Sequence, residues 1–143
     1  MFIRLMASED YERVYALWQS TQGVGMRSLD DSRQGIEKFL LRNPTTNFVA
    51  QQSGEIVGVI MCGTDGRRAY IYHATVATGY RNKGIGKQLV DVVKGAAKKL
   101  GINKIALVVF ADNAAGNAFW ERMGFVLRDD LCYKDLSINN DNI

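Results

Sequence analysis

Apolar positions along the chain alternate between a helical and an extended spacing, and the switches between the two mark out its elements. Tyr11, Val14, Tyr15 and Trp18 recur at helical spacing and predict one buried helix face. Ser8 is placed to open that helix, with Glu9 and Asp10 in a first turn where negative charge suits the positive end of the dipole. The segment Thr21-Gln22-Gly23-Val24-Gly25-Met26 ends it. A second helix is expected from about Asp30-Asp31-Ser32, with Ile36, Phe39 and Leu40 inward and a stop before Pro44. Ile85, Leu89, Val92, Ala96 and Leu100 define the face of the most regular helix. It starts near Gly84 and ends at Gly101, behind Lys98 and Lys99. A last helix is capped by Asp112 or Asn113 and ends at Gly124.

Extended segments fill the intervals. Strands are expected from Phe2 to Met6, from Asn47 to Gln51 and from Ile56 to Cys62, with Ser53-Gly54 as the turn between the last two. Another runs from Ala69 to Ala77, and a buried strand from Lys104 to Phe110. Two short strands, Phe125 to Leu127 and Leu131 to Asp135, close the chain. The order β-α-α-β-β-β-α-β-α-β-β predicts an α/β fold around a mixed sheet of about seven strands. Residues 1–136 read as one domain and residues 137–143 as a frayed polar tail.

Composition narrows the function classes. A chain of 143 residues, 47% of them hydrophobic, is one globular domain rather than a disordered segment. No run approaches the ~20 apolar residues of a membrane helix, and Met1 to Leu5 lacks a signal-peptide pattern. Two cysteines without CxxC spacing and a single histidine argue against a metal site or a disulfide framework. Unpaired thiols fit a cytoplasmic protein. The net charge is +3, with Arg81, Lys83, Lys87, Lys94, Lys98, Lys99 and Lys104 close together in sequence. Such a stretch is a solvated helix face, or it meets nucleic acid, a membrane surface or an anionic cofactor.

The chemistry concentrates where the fourth strand meets the long helix, at Val76-Ala77-Thr78-Gly79-Tyr80-Arg81-Asn82-Lys83-Gly84-Ile85-Gly86-Lys87. Glycines there permit a tight turn and close approach of a ligand. The first N–H groups of the helix lack internal partners, which makes an anion site from backbone alone. A tight turn with no ligand is the competing reading. A Walker A loop fails, because Ile85 stands where its lysine belongs, and a dinucleotide fingerprint fails at Leu89.

Arg81-Asn82-Lys83-Gly84-Ile85-Gly86 resembles the Arg/Gln-x-x-Gly-x-Gly/Ala pyrophosphate loop of the GNAT superfamily of acetyl-CoA-dependent N-acetyltransferases. Asn113 to Phe125 independently resembles that family's Asn-x-x-Ala-x-x-Leu-Tyr-x-x-x-Gly-Phe helix, in the family's order and separation. The chain looks closest to small stand-alone bacterial members with a Gly-x-Asp-Gly turn, here Gly63-Thr64-Asp65-Gly66. The resemblance implies a GNAT-like sheet, with acetyl-CoA as co-substrate and no metal. Backbone groups of Val76, Ala77 and Thr78 would receive the pantetheine arm, and Arg81 to Lys87 the pyrophosphate. Asn113, Phe119 and Trp120 would flank the thiol end. An amine, on a small molecule or a peptide, would attack the thioester directly, aided by orientation and an oxyanion donor.

Trp120 departs from the family's usual tyrosine, a general acid in many members, and an indole N–H donates a hydrogen bond without releasing its proton. Catalytic candidates are therefore His73, Tyr72 and Trp120, with Asp65 acting through water as a further choice of base. Gly25, Met26 and Tyr72 are the candidate acceptor contacts, and Asp30-Asp31 either caps the second helix or attracts a cationic amine. The family's habit also implies a homodimer. The alternatives are a non-catalytic acetyl-CoA-binding module and a nucleic-acid-binding protein; the latter lacks a recognisable module.

Overall fold

The computed structural model describes residues 1–143. In chain order it contains β1 (Phe2–Leu5), α1 (Tyr11–Gln19), α2 (Arg33–Arg42), β2 (Phe48–Gln52), β3 (Glu55–Thr64) and β4 (Ala69–Val76). There follow α3 (Ile85–Lys99), β5 (Ile105–Leu107) and α4 (Ala114–Arg122). The strands form one sheet in the order β1-β2-β3-β4-β5, antiparallel except for the last pair. Ser53 and Gly54 both take positive φ, 52° and 80°, and close the β2–β3 hairpin as a two-residue turn.

Each face of the sheet is covered. On one, α3 buries Ile85, Leu89, Val90, Val93 and Ala97 against Val57, Ile60 and Ile71, with Phe119 and Trp120 of α4 and the following Met123 packed alongside. On the other, Val14, Leu17 and Trp18 of α1 and Ile36 of α2 meet Val49, Val59 and Met61. A buried Asp10 anchors the start of α1: its carboxylate accepts from Arg4 at 2.8 Å, Arg13 at 2.9 Å and the Ala7 N–H at 2.9 Å. Burial alone would raise the Asp10 pKa, yet the hydrogen bonds from Arg4 and Ala7 and the two guanidinium charges hold it below the usual carboxylate range. No helix is long and apolar enough to cross a membrane. Both cysteines are free; burial pushes the Cys62 thiol up to about 11, while Cys132 is exposed.

Several sequence expectations need correction. The sheet has five strands, not about seven. Phe125 to Leu127 and Leu131 to Asp135 lie outside it because no strand offers them a ladder, and their apolar side chains bury too little to fix a register: Val126 is 80% exposed and Leu131 60%. The strand expected from Lys104 to Phe110 shrinks to Ile105–Leu107, since the chain leaves the sheet there. Ser8 opens a 3-10 turn over Ser8–Asp10 ahead of α1 rather than capping the helix. The α3 face follows Ile85, Leu89, Val93 and Ala97, while Leu100 is 49% exposed; packing on a twisted sheet rotates the buried row away from the expected one. The tail is held rather than frayed. Asn142 Oδ1 accepts from the Leu29 and Asp30 N–H groups at 3.0 Å, and the Ser28 N–H donates to the Ile143 carbonyl at 2.7 Å.

Candidate active site

The parallel ladder between β4 and β5 consists of Ala69–Ile105, Tyr70–Ala106 and Ile71–Leu107. Beyond it, β4 continues to Val76 while β5 has ended, so the two chains part and one edge of β4 is left without a partner strand. A cleft of about 2410 Å³ occupies the gap. One end is lined by Arg81, Asn82, Gly84, Gly86 and Lys87, the middle by Val76 and Trp120, and the other end by Phe39, Tyr72 and His73.

Backbone makes the first end. Asn82 and Gly84 have φ of 60° and 83°, and this pair of left-handed residues turns the chain into α3. The first bond of the helix runs from the Gln88 N–H to the Gly84 carbonyl, so the N–H groups of Ile85, Gly86 and Lys87 have no acceptor within the helix. These groups and the helix dipole suit a phosphate. The basic side chains each meet a partner within the chain. Arg81 Nε donates to the Val76 carbonyl at 3.0 Å, Lys87 pairs with Asp91 at 2.7 Å, and Lys83 lies over the Tyr80 ring. Gly86 has a second reason to be glycine: a Cβ there would stand 2.9 Å from Cε1 of Phe119.

A register change shapes the other end. Val59 pairs with Thr75 and Met61 with Tyr72, so Ile60 alone faces both His73 and Ala74: β4 carries one surplus residue. His73 takes φ of 48°, a left-handed conformation that costs a non-glycine residue about 1 kcal/mol or more. Trp18 Nε1 donates to its carbonyl at 3.3 Å, the Thr75 hydroxyl donates to the same oxygen at 3.1 Å, and the indole of Trp18 meets the imidazole edge-on at 5.0 Å. The His73 Nε2 lies 2.8 Å from Asp31 Oδ1, and the other oxygen of Asp31 accepts the Arg27 N–H at 2.7 Å.

Of the acceptor candidates, Gly25 and Tyr72 line the cleft. Met26 is absent from that lining and instead lies half-buried against the core cluster on the α1 side. Tyr72 stands edge-on to Phe39 at 5.7 Å and beside Tyr70 at 4.7 Å. Burial chiefly, with the neighbouring phenol of Tyr133, raises both hydroxyls, that of Tyr70 to about 12. Ala77 packs against the α1 side and Thr78 is exposed. Asn113 caps α4 by accepting the Gly116 N–H at 2.9 Å. Trp120 sits between Phe119 at 4.9 Å and Phe125 at 5.1 Å. Asp65 lies at the opposite end of β4, where it accepts the Arg67 and Arg68 N–H groups and thereby stays below its ordinary range. Ser32, not Asp30 or Asp31, caps α2. Sequence reasoning missed the pairing of Asp31 with His73, because 42 residues separate them and only the fold brings them together.

Comparison with known proteins agrees with this architecture. Residues 11–125 match the model of the acetyltransferase (GNAT) family. An acetyltransferase of Sodalis glossinidius is 33% identical over 131 residues, covering 92% of this chain and 91% of that one. Among solved structures, the PaiA N-acetyltransferase of Thermoplasma acidophilum in complex with coenzyme A superposes with a TM-score of 0.78 at 23% identity, covering 90% of this chain and 91% of that one. An aminoglycoside acetyltransferase from an uncultured soil metagenomic sample, in complex with trehalose, also gives 0.78 at 20% identity, with 96% of each chain covered. With both of its motifs lining one cleft, the chain belongs to the GNAT family and is an acetyl-CoA-dependent acetyltransferase.

Proposed function

We propose that the protein transfers the acetyl group to a small amine by direct attack while both substrates occupy the cleft. The observation that carries this reading is the parting of β4 from β5, which joins the unbonded N–H groups of α3 to an unpaired strand edge and then to His73. Acetyl-CoA supplies the activated acyl group. The N–H groups of Ile85 to Lys87 hold its pyrophosphate, and the free edge of β4 near Val76 takes the pantetheine arm as an added strand. Trp120, whose indole N–H has no acceptor within the chain, offers a hydrogen bond near the thiol end. It does not act as a proton donor in this reading.

The acceptor enters beside the loop between α1 and α2. Phe39, Tyr70 and Tyr72 present ring surface there, and Asp30 is close enough to Tyr72 to raise its pKa. Aromatic faces beside a carboxylate suit an ammonium. The structural neighbour that is an aminoglycoside acetyltransferase supports a small amine rather than a protein surface as acceptor. His73 then removes the proton that keeps the amine from attacking.

Thiol release from acetyl-CoA across amino acids, polyamines, aminoglycosides and N-terminal peptides tests the reading. Turnover with a small amine is the expected result. Turnover confined to peptides would overturn the acceptor assignment, and no release together with no acetyl-CoA-dependent rise in Tm would overturn the cofactor assignment.

A further inference from the structure

We infer that Asp31 is a positioning residue that fixes the tautomer of His73, so that Nδ1 and not Nε2 is the atom that accepts the proton of the acceptor amine. The inference rests on the proposed role of His73 and adds to it a second residue, a named atom and a geometric reason.

The reason begins with the carboxylate. Asp31 is 5% exposed, and its two oxygens are both engaged, Oδ2 with the Arg27 N–H at 2.7 Å and Oδ1 with His73 Nε2 at 2.8 Å. An ionised carboxylate only accepts hydrogen bonds, so the proton between Oδ1 and Nε2 belongs to the ring. In the neutral imidazole that leaves the lone pair on Nδ1. No group of the chain bonds to Nδ1, and no polar side-chain atom without a partner is buried, so Nδ1 opens into the cleft that His73 lines. The ring cannot turn freely. Trp18 packs edge-on against it, and the His73 backbone is held by Trp18 Nε1 and the Thr75 hydroxyl.

The proton balance is simple. Nδ1 takes one proton from the acceptor ammonium and frees the nitrogen lone pair. The C–N bond forms as the C–S bond of the thioester breaks, the thiolate leaves with the electron pair, and the second proton, shed by the acylated nitrogen, passes through solvent to that thiolate. The imidazolium, stabilised by Asp31, then returns its proton to solvent. Other titratable or charged groups on the surrounding elements are Asp30 and Arg27 on the loop, Tyr11 and Tyr15 on α1, Tyr72 on β4 and Tyr133 in the C-terminal segment. Burial pushes Tyr11 and Tyr72 upward, away from neutral pH.

Asp31→Asn gives a sharp test because the Arg27 N–H remains in place. It claims the amide oxygen, which leaves the amide NH2 to donate to Nε2. The ring must then carry its proton on Nδ1, and the lone pair leaves the cleft. The chain has one histidine, so uniform ¹⁵N-histidine labelling yields a single imidazole spectrum with no assignment problem. The expected result is an Nε2-protonated ring in the wild type and an Nδ1-protonated ring in Asp31→Asn. With the amine found in the panel above, kcat/KM should fall on the order of 10²-fold in Asp31→Asn and in His73→Ala. The double variant should be no worse than His73→Ala, and KM for acetyl-CoA should stay within about twofold, as expected when two residues act as one unit. An Nδ1-protonated wild type would overturn the inference, and needs no variant to fold. Rate losses that multiply in the double variant would overturn it as well. The expected tautomers with a fully active His73→Ala would overturn the role of His73 itself, a failure of the proposed function that the spectra distinguish from a failure of the pairing.

Discussion

Consecutive residues, Arg81 to Lys87, build the end of the cleft to which we assign the pyrophosphate, and the groups they offer are mainly backbone N–H. The acceptor end draws Trp18, Asp31, Phe39 and His73 from separate elements, and the groups they offer are side chains. The first construction tolerates loss of a side chain but not the addition of one, since its glycines leave room for a turn and for Phe119. The second tolerates neither loss nor rearrangement. The contrast predicts which substitutions will hurt and in what way.

The largest effect is expected from His73→Ala, with kcat down about 10²-fold, little change in acetyl-CoA affinity, and loss of the fall in rate toward acid that protonation of a base produces. An acetyl-CoA titration beside a pH–rate profile checks this; a variant that loses acetyl-CoA affinity instead would erase the division between the two ends. Gly86→Val comes next. Its Cβ would press on the Phe119 ring, so KM for acetyl-CoA should rise about tenfold with about 1–3 kcal/mol of destabilisation.

A third test uses the scaffold of the acceptor side. Asp10 is held below its ordinary pKa, so its contribution is fully present above the unfolded value of about 3.9 and is lost as pH falls through the lower folded value. Asp10→Asn should lower stability by about 2 kcal/mol at neutral pH and flatten that acid dependence, as denaturant titrations at two pH values would show. The smallest effect belongs to the exposed charges of the phosphate end. Arg81→Ala and Lys83→Ala should raise KM for acetyl-CoA only about two- to fivefold, less at high salt, because backbone groups do most of the holding. A hundredfold loss in either would show that side chains dominate there too.

The same contrast explains what could be read from the sequence. The β2–β3 turn at Ser53-Gly54 and the start of α3 at Gly84 depend on neighbours in the chain and were expected where they occur, and the cap of α4 falls on Asn113, one of the two residues expected for it. The end of β5 at Leu107 was not legible. Val108 to Phe110 is apolar enough to continue a strand, and only the divergence of β4 decides that it does not. The absence of strands after Phe125 has a similar origin, since pairing needs an edge that local sequence does not report. Met26, read as an acceptor contact, is half-buried against the α1-side core, whereas Asp31, read as a helix cap or an attractor of a cationic amine, pairs with His73.

One surplus residue in β4 therefore has an outsized role. A chain lacking Ala74 would pair with β3 without interruption and relieve the left-handed His73, and by the usual rules of strand pairing it would form the more regular sheet. It would also carry His73 to a different place against its neighbours, away from Asp31 and the indole of Trp18. The irregularity is thus a point where selection for a stable sheet and selection for chemistry pull in opposite directions. Stabilising this protein by repairing its least ideal strand would be expected to cost it the acceptor site proposed here.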